Sequence, residues 1–436
     1  MRDYLIIAIV LASLPIGLFQ PFYGLLAYAW ISYMYPHELA WSFAQTFPVA
    51  KLSALSVMGG LLFAPAGNIA AVRQRENISM LLLWCTFTIS SAFAFYPAQA
   101  WYKWQDASKL IVMSVLASML LRDRQRIRLF LLVIAFSVGF YGFKGGLFGL
   151  VTGGTQMVMG PGDSIIGANN AIGLALNMCL PLLWYLAREE KGWCKRFLQA
   201  TFFLTIPAIM FTYSRASTIA MGVLLLMIML KSRWRIVLIV AALVGGVAAI
   251  PFIPQKWLDR QQSTLSYEED GSAMSRIDNW RFCWLVATDN PITGAGFDFQ
   301  TPAVFARYAP DFLVKYKGKV WDTHNIFLGI LTCHGFPGLL AYVTMIGFCL
   351  ASCSTLKRRV RHRPDLKWVR TYSEMIQLSF LGFIINGMFV NMEYYDLTYH
   401  WIAVVASLKV IVDRELSQPS SETEYPEELS IVVAAT

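Results

Sequence analysis

The chain has 436 residues, of which 56% are hydrophobic and only 14% charged, with 36 Lys and Arg against 27 Asp and Glu and a formal net charge of +9. Soluble domains carry roughly 25% charged residues, so this composition excludes a water-soluble globular protein. The surplus of basic residues lies in short clusters between apolar blocks, where anionic headgroups account for it without a nucleic-acid partner.

The apolar blocks include Ile78–Phe95, Ala216–Leu230, Ile236–Phe252 and Ile326–Leu350. A helix needs about 20 residues to cross hydrocarbon, and a membrane barrel needs alternating polarity. These blocks do not alternate, so the expected class is all-α, a polytopic membrane protein with about 12 transmembrane helices. Residues 4–35 are interrupted by Pro15, Gly17 and Pro21. They are read as one kinked crossing or a pair of half-helices, which keeps both chain ends cytoplasmic. No small-residue cleavage site follows the first apolar run, so no signal peptide is expected.

The remaining connections alternate between two kinds. Arg73/Arg75, Arg122–Arg128, Arg188–Arg196, Lys231–Arg235 and Lys357–Arg370 are rich in basic residues; Pro36–Phe47, Tyr96–Gln105, Gly145–Asn169, Thr212–Tyr213 and Asn391–Tyr394 are nearly free of them. The positive-inside rule assigns the first kind to the cytoplasm. The tail after Asp413 is rich in Glu, Ser and Pro and reads as disordered. Only Cys283 of the seven cysteines falls in the long hydrophilic loop, and no CxxC pair suggests a metal or a disulfide framework.

Four stretches carry candidate chemistry. Lys144 stands beside Gly145 and Gly146, followed by Gly160-Pro161-Gly162 and Asn169-Asn170; a substrate approaching the backbone or simple loop flexibility both explain the glycines. In Thr212-Tyr213-Ser214-Arg215, an arginine stands between two apolar runs on the side that should lack them. Such a residue suits either a bidentate grip on phosphate or a structural pair with an acid such as Asp278. In the long loop, roughly Pro254–Thr323, Ser275 could cap a helix carrying Arg276, Trp280, Arg281 and Trp284. Its two tryptophans would lie on lipid, or the helix would pack as a lid. The loop ends at Thr323-His324-Asn325, nine residues before Gly335-Phe336-Pro337-Gly338. A histidine opening a span titrates near neutral pH and can act as a base, or can be hydrogen-bonded within the bundle. His334, further along that helix, is expected to tolerate alanine. Asp278, Asp298 and Asp322 are scattered and form no paired carboxylates of glycosidase type.

His-Asn, nine residues and Gly-x-x-Gly, after a large loop and an upstream Ser-Arg, resemble the O-antigen ligase and O-antigen polymerase superfamily. Phe140–Gly154 with Gly160–Asn170 is similar, more narrowly, to the exosortase-associated O-glycosylation ligase branch. The resemblance covers roughly residues 1–415. It implies a metal-independent enzyme without cofactor in the bacterial inner membrane, moving a glycan from undecaprenyl pyrophosphate to an acceptor hydroxyl on the periplasmic face. The acceptor would be lipid A–core for a ligase or another lipid-linked glycan for a polymerase; a protein acceptor also stays open. His324 matches the essential histidine, Arg215 the Ser-Arg arginine and Arg276 the loop arginine, both arginines on the pyrophosphate. Lys144, Arg281, Asn170 and Asn325 are further candidates for substrate contact. The expected organisation is transmembrane helices over 1–253, a periplasmic loop with short interfacial helices over 254–323, C-terminal spans over 324–412 and a cytoplasmic tail over 413–436. A lipid-linked glycan transporter is the reading from a different class; it calls for helix-breaking or charged residues at midplane in matched halves, which the sequence does not display. A non-catalytic envelope scaffold gives no reason for a histidine at the mouth of the loop.

Overall fold

A chain with so few charges can satisfy its backbone in an apolar medium only within helices or closed barrels. The structure is a computed structural model describing residues 1–63, 67–232, 235–249, 257 and 271–417, and every regular element among them is helical. The principal helices are α1 (Arg2–Phe19), α2 (Pro21–Met34), α3 (Val49–Phe63), α4 (Ile69–Val72), α5 (Arg75–Ala92), α6 (Pro97–Leu120), α7 (Arg124–Val151), α8 (Asn169–Glu189), α9 (Gly192–Met210), α10 (Arg215–Leu230) and α11 (Arg235–Ala249). They continue with α12 (Gly271–Asp289), α13 (Pro302–Tyr308), α14 (Pro310–Lys315), α15 (Ile326–Arg359), α16 (Lys367–Gly387) and α17 (Asp396–Ser417). Four of these, α1, α7, α8 and α15, are long and apolar enough to cross a membrane.

The centre is built from α8 and α17, which are buried along most of their length. Trp401 of α17 donates to Ser379 Oγ of α16 at 2.8 Å, and Ser379 donates to the Met178 carbonyl of α8 at 2.9 Å. In an apolar surrounding these bonds supply directionality that burial alone does not. The outer surface is apolar as well: Leu62, Phe63, Phe203 and Leu340 are all exposed. A soluble monomer rarely presents such area to water.

The basic connections gather at one end of the bundle. Arg124 meets Glu189 at 3.3 Å, Arg128 meets Glu190 at 2.5 Å, and Lys409 meets the buried Glu76 at 2.9 Å. The other end collects the loops that are poor in basic residues.

Of the two readings of residues 4–35, the N-terminal segment departs from the single kinked crossing and consists of two helices. Pro21 cannot continue α1, so it opens a second helix at its first position. Pro15 stays inside α1. Arg2 donates to the Leu39 carbonyl at 2.7 Å and Asp3 accepts from the Ser42 amide at 2.9 Å. The chain thus leaves and returns to one end in a hairpin, not a single kinked crossing. Met1 shares that end with Pro36–Phe47, and Ser417 lies at the opposite end, so the two are not on the same side. At the other terminus α17 runs through Asp413 to Ser417 as helix. Residues 418–436 of the expected tail, and most of 250–270 in the expected loop, lie outside the described residues.

Candidate functional site

His324 stands one residue before the N-cap of α15. Asn325 is that cap: its Oδ1 accepts from the Phe327 and Leu328 amides at 2.9 and 3.1 Å. This assigns the Asn325 side chain to the helix end and accounts for the Asn after the His. His324 itself has φ 50°, in the left-handed region that few non-glycine residues occupy, His more often than most. Its amide donates to Asn391 Oδ1 in the loop before α17. The imidazole is half-buried. Burial lowers its pKa from the ordinary value, the Arg276 charge lowers it further, and Asp322 partly opposes them. The ring is therefore neutral at pH 7, with a free electron pair on one nitrogen.

The segment before His324 is clamped by α12. Asn279 donates to the Asp322 carbonyl at 2.6 Å, Trp280 Nε1 to the Thr323 carbonyl at 3.0 Å, and the buried Cys283 thiol lies 3.8 Å from Thr323 Oγ1. Arg276, Asn279, Trp280 and Cys283 recur at spacings of three and four and so share one face. That face is turned to the His324 segment, which brings Arg276 near His324. Trp280 packs inward, while Trp284 is exposed near Phe336. α12 is thus a helix packed over the site at this face, not one with both tryptophans on lipid. Ser275 lies inside α12, which begins at Gly271, so it is not the N-cap. Arg281 points elsewhere, into a groove with Asp278, Phe282 and Lys315. Asp278 accepts from Lys315 at 2.6 Å and from Tyr316 at 2.8 Å.

Gly335-Phe336-Pro337-Gly338 breaks α15. Gly335 has φ 68°, and a Cβ there would lie 2.6 Å from the carbonyls of Pro291 and Ile292. Pro337 has no amide to give Cys333, and Phe336 turns its own amide to the Pro291 carbonyl at 2.8 Å. The two carbonyls left open are taken by the loop: Ala295 donates to Thr332 at 2.8 Å and Gly296 to Cys333 at 3.0 Å. The motif is the dock for residues 290–296. Beside the break, His334 is buried with both ring nitrogens engaged, Nδ1 at 2.6 Å from Ser90 Oγ and Nε2 at 2.7 Å from Tyr394 OH. Both bonds would be lost with alanine, so the expected tolerance at this position is opposed by a cost in stability.

Residues 200–343, which contain this histidine, the clamp and the break, match the family described as O-antigen ligase. Over that stretch, about a third of the chain, the protein is similar to the O-antigen ligase family. Residues 1–191 match a family of unknown function, DUF5935. No curated protein matches the chain.

The O-antigen ligase segment also contains Arg215, on a separate turn at the same end. Ser214 caps α10, accepting from the Ser217 amide at 3.3 Å, and Arg215 is the first residue of the helix. Tyr213 has φ 57° and donates to the Gly154 carbonyl, Val158 donates to the Phe211 carbonyl at 2.9 Å, and Asn169 donates to the Thr212 carbonyl at 2.9 Å. The Ser-Arg turn and the stretch through Asn170 are thereby brought together across the two matched regions. Asn170 lies in the first turn of α8. Lys144 is not in a loop: α7 continues to Val151 and places it, exposed, about one turn from Phe140, with its Nζ 5.9 Å from that ring. A Cβ on Gly146 would lie 1.9 Å from the Leu204 carbonyl, so this glycine is fixed by the approach of α9, not by a substrate.

A cavity of about 640 Å³ abuts the His324 segment at Thr323 and Asn391, with Asp298, Asp322, Glu393 and Lys103 among its walls. Glu393 escaped the sequence reading. It lies between α16 and α17, is buried, and has one carboxyl oxygen, Oε2, without a hydrogen-bond partner among the described residues. Burial pushes its pKa up to about 8, so it is a neutral acid at pH 7. The signal was available: a carboxylate between two apolar runs is costly and marks function by default. Asp298 has φ 52° and a pKa raised by burial, opposed by Lys103 and aided by Asp322. Among the described residues no group of three or more His, Cys, Asp or Glu is spaced for a metal ion.

Proposed function

We propose that the protein is a metal-independent, inverting glycosyltransferase that moves a glycan from undecaprenyl pyrophosphate to an acceptor hydroxyl at the periplasmic face of the bacterial inner membrane. The acceptor in this reading is lipid A–core. The observation that carries it is the neutral, half-buried His324 with the Arg276 charge beside it, within the segment that matches the O-antigen ligase family. The acceptor oxygen attacks the anomeric carbon and the bond from that carbon to the pyrophosphate oxygen breaks. The hydroxyl proton passes to His324, and undecaprenyl pyrophosphate leaves with the electron pair. Charge builds on the leaving group as the bond breaks, so cations aimed there help the transition state more than the ground state. Arg276 and Arg215 take that role. The His324 end faces the periplasm and the basic end the cytoplasm, in line with the positive-inside rule; the N-terminal hairpin then puts Met1 on the periplasmic side.

Reconstitution tests the reading. Purified protein in liposomes receives lipid-linked glycan together with lipid A–core, or lipid-linked glycan alone. Extension of the core lipid is the expected result. Growth of the lipid-linked glycan only would replace the ligase by a polymerase, and passage of the glycan across the liposome without transfer would replace the enzyme by a transporter.

A further inference from the structure

At the end opposite His324, two cavities adjoin. The first, about 530 Å³, lies between the ends of α8 and α10 and the start of α16; its walls include Arg188, Lys231, Arg361 and Lys367. The second, about 570 Å³, runs between α8, α9 and α10 and is lined by Trp184, Phe202 and Phe203. Trp184, Arg188 and Lys231 belong to both.

The charge in the first cavity is not balanced from within. Its two glutamates are already engaged: Glu189 meets Arg124 at 3.3 Å and Glu374 meets Arg370 at 3.3 Å, while Arg363 pairs with Asp365 at 2.7 Å. Among the described residues no carboxylate lies within ion-pair distance of Arg188, Lys231, Arg361 or Lys367; Arg188 instead stacks over Trp184 at 6.0 Å. Four like charges converging on one cavity repel one another unless an anion joins them. Away from the Arg188, Gln199, Lys231 and Ser232 it carries, the neighbouring cavity has an apolar wall of Trp184, Ala187, Phe202 and Phe203, and Phe203 is exposed on the outer face of the bundle. A soluble anion would use only the first cavity. A molecule with a phosphate at one end and a hydrocarbon chain at the other uses both, and basic pockets between spans take such headgroups.

We propose that these adjoining cavities bind an anionic phospholipid, its phosphate among Arg188, Lys231, Arg361 and Lys367 and one acyl chain along Trp184, Phe202 and Phe203. The site is separate from the proposed transfer chemistry and does not rest on it.

The test uses the full chain in detergent, with bound lipid counted by native mass spectrometry and thermal stability followed in parallel. The probes are phosphatidylglycerol, phosphatidylethanolamine and sn-glycerol 3-phosphate. Phosphatidylglycerol should bind and raise the melting temperature, and the other two should do much less. Lys231→Gln and Arg188→Gln should each weaken phosphatidylglycerol binding about tenfold or more, the loss of one charged hydrogen bond. Phe203→Ser should weaken it without removing a cation. Each variant should match the wild type in melting temperature when no lipid is added, which separates a lost site from a damaged fold. Equal binding of phosphatidylethanolamine would overturn the proposal. A full stabilising shift from sn-glycerol 3-phosphate would do so too, since it would make this a soluble-anion site, as would wild-type affinity in both cation variants.

Discussion

The two ends of the bundle use charge in opposite ways. At the basic end, Arg124, Arg128, Arg370 and Lys409 each stand against a glutamate while Arg188, Lys231, Arg361 and Lys367 gather around one cavity, and no described non-glycine residue there is left-handed. At the His324 end, Glu393 carries a carboxyl oxygen without a partner, Asp298 is held above its ordinary pKa, and all five left-handed non-glycine residues of the described chain occur: Tyr35, Tyr213, Asp298, Lys317 and His324. Such backbone costs of order 1–3 kcal/mol each and persists only where the surroundings enforce it. Ion pairs at one end hold helices in register. Strained backbone and one unmatched carboxyl at the other lie where the proposed transfer chemistry is placed.

The sharpest way to break this contrast is His324→Ala. A positioned base contributes about 10²- to 10⁴-fold, so transfer should fall by that range while membrane insertion and melting temperature hold. Full activity in a well-expressed variant would reduce His324 to a strained loop residue. Next come Arg276→Ala and Arg215→Ala. Each should lower turnover about tenfold to a hundredfold, or roughly 1.5–3 kcal/mol, and weaken donor binding more than acceptor binding; lysine should restore only part of it. Loss of stability with unchanged donor affinity would move the pyrophosphate elsewhere. Arg276→Ala carries a second signature. The base form of His324 persists above its lowered pKa, so the acid limb of the pH–rate profile should lie below pH 6.5 in the wild type and move upward once the Arg276 charge is gone.

Smaller effects separate structure from chemistry within the same end. His334→Ala leaves Ser90 Oγ and Tyr394 OH without their ring partner and should cost about 1–3 kcal/mol of stability, read as a lower melting temperature with residual transfer in the protein that survives. Glu393→Gln should leave transfer at pH 7 unchanged, because the wild-type group is already neutral there. A carboxyl raised from 4.5 to about 8 by burial favours the folded state fully below the lower value, and that contribution is lost as pH rises through the higher one. The melting temperature of the wild type should therefore decline across that window, and Glu393→Gln should flatten the decline. Thorough chelation is expected to do nothing to transfer, since the arginines carry the neutralising charge; loss in EDTA with recovery on adding a divalent ion would refute that assignment.

The sequence made some of this readable and hid the rest for identifiable reasons. The alternation of basic and non-basic connections was enough to sort the two ends, because that bias is local. Pro21 marked a break but not its angle, and only the contacts of Arg2 and Asp3 with Leu39 and Ser42 turn a kink into a hairpin. The shared face of Arg276 and Trp280 follows from helical spacing, whereas what covers that face is Thr323, more than forty residues away. Lys144 looked like a loop cation because glycines follow it; close packing against α9 keeps those glycines helical. Glu393 was passed over because the connections were sorted by Lys and Arg alone.

The docking of residues 290–296 on the break in α15 makes two distant parts of the chain mechanically one. Peeling that segment away would strand the Thr332 and Cys333 carbonyls and the Phe336 amide together, three backbone bonds lost at once. The wall of the site on this side is therefore a rigid post. In the proposed reaction the lipid-linked donor then enters past another edge, with this post as the fixed reference beside Asp298.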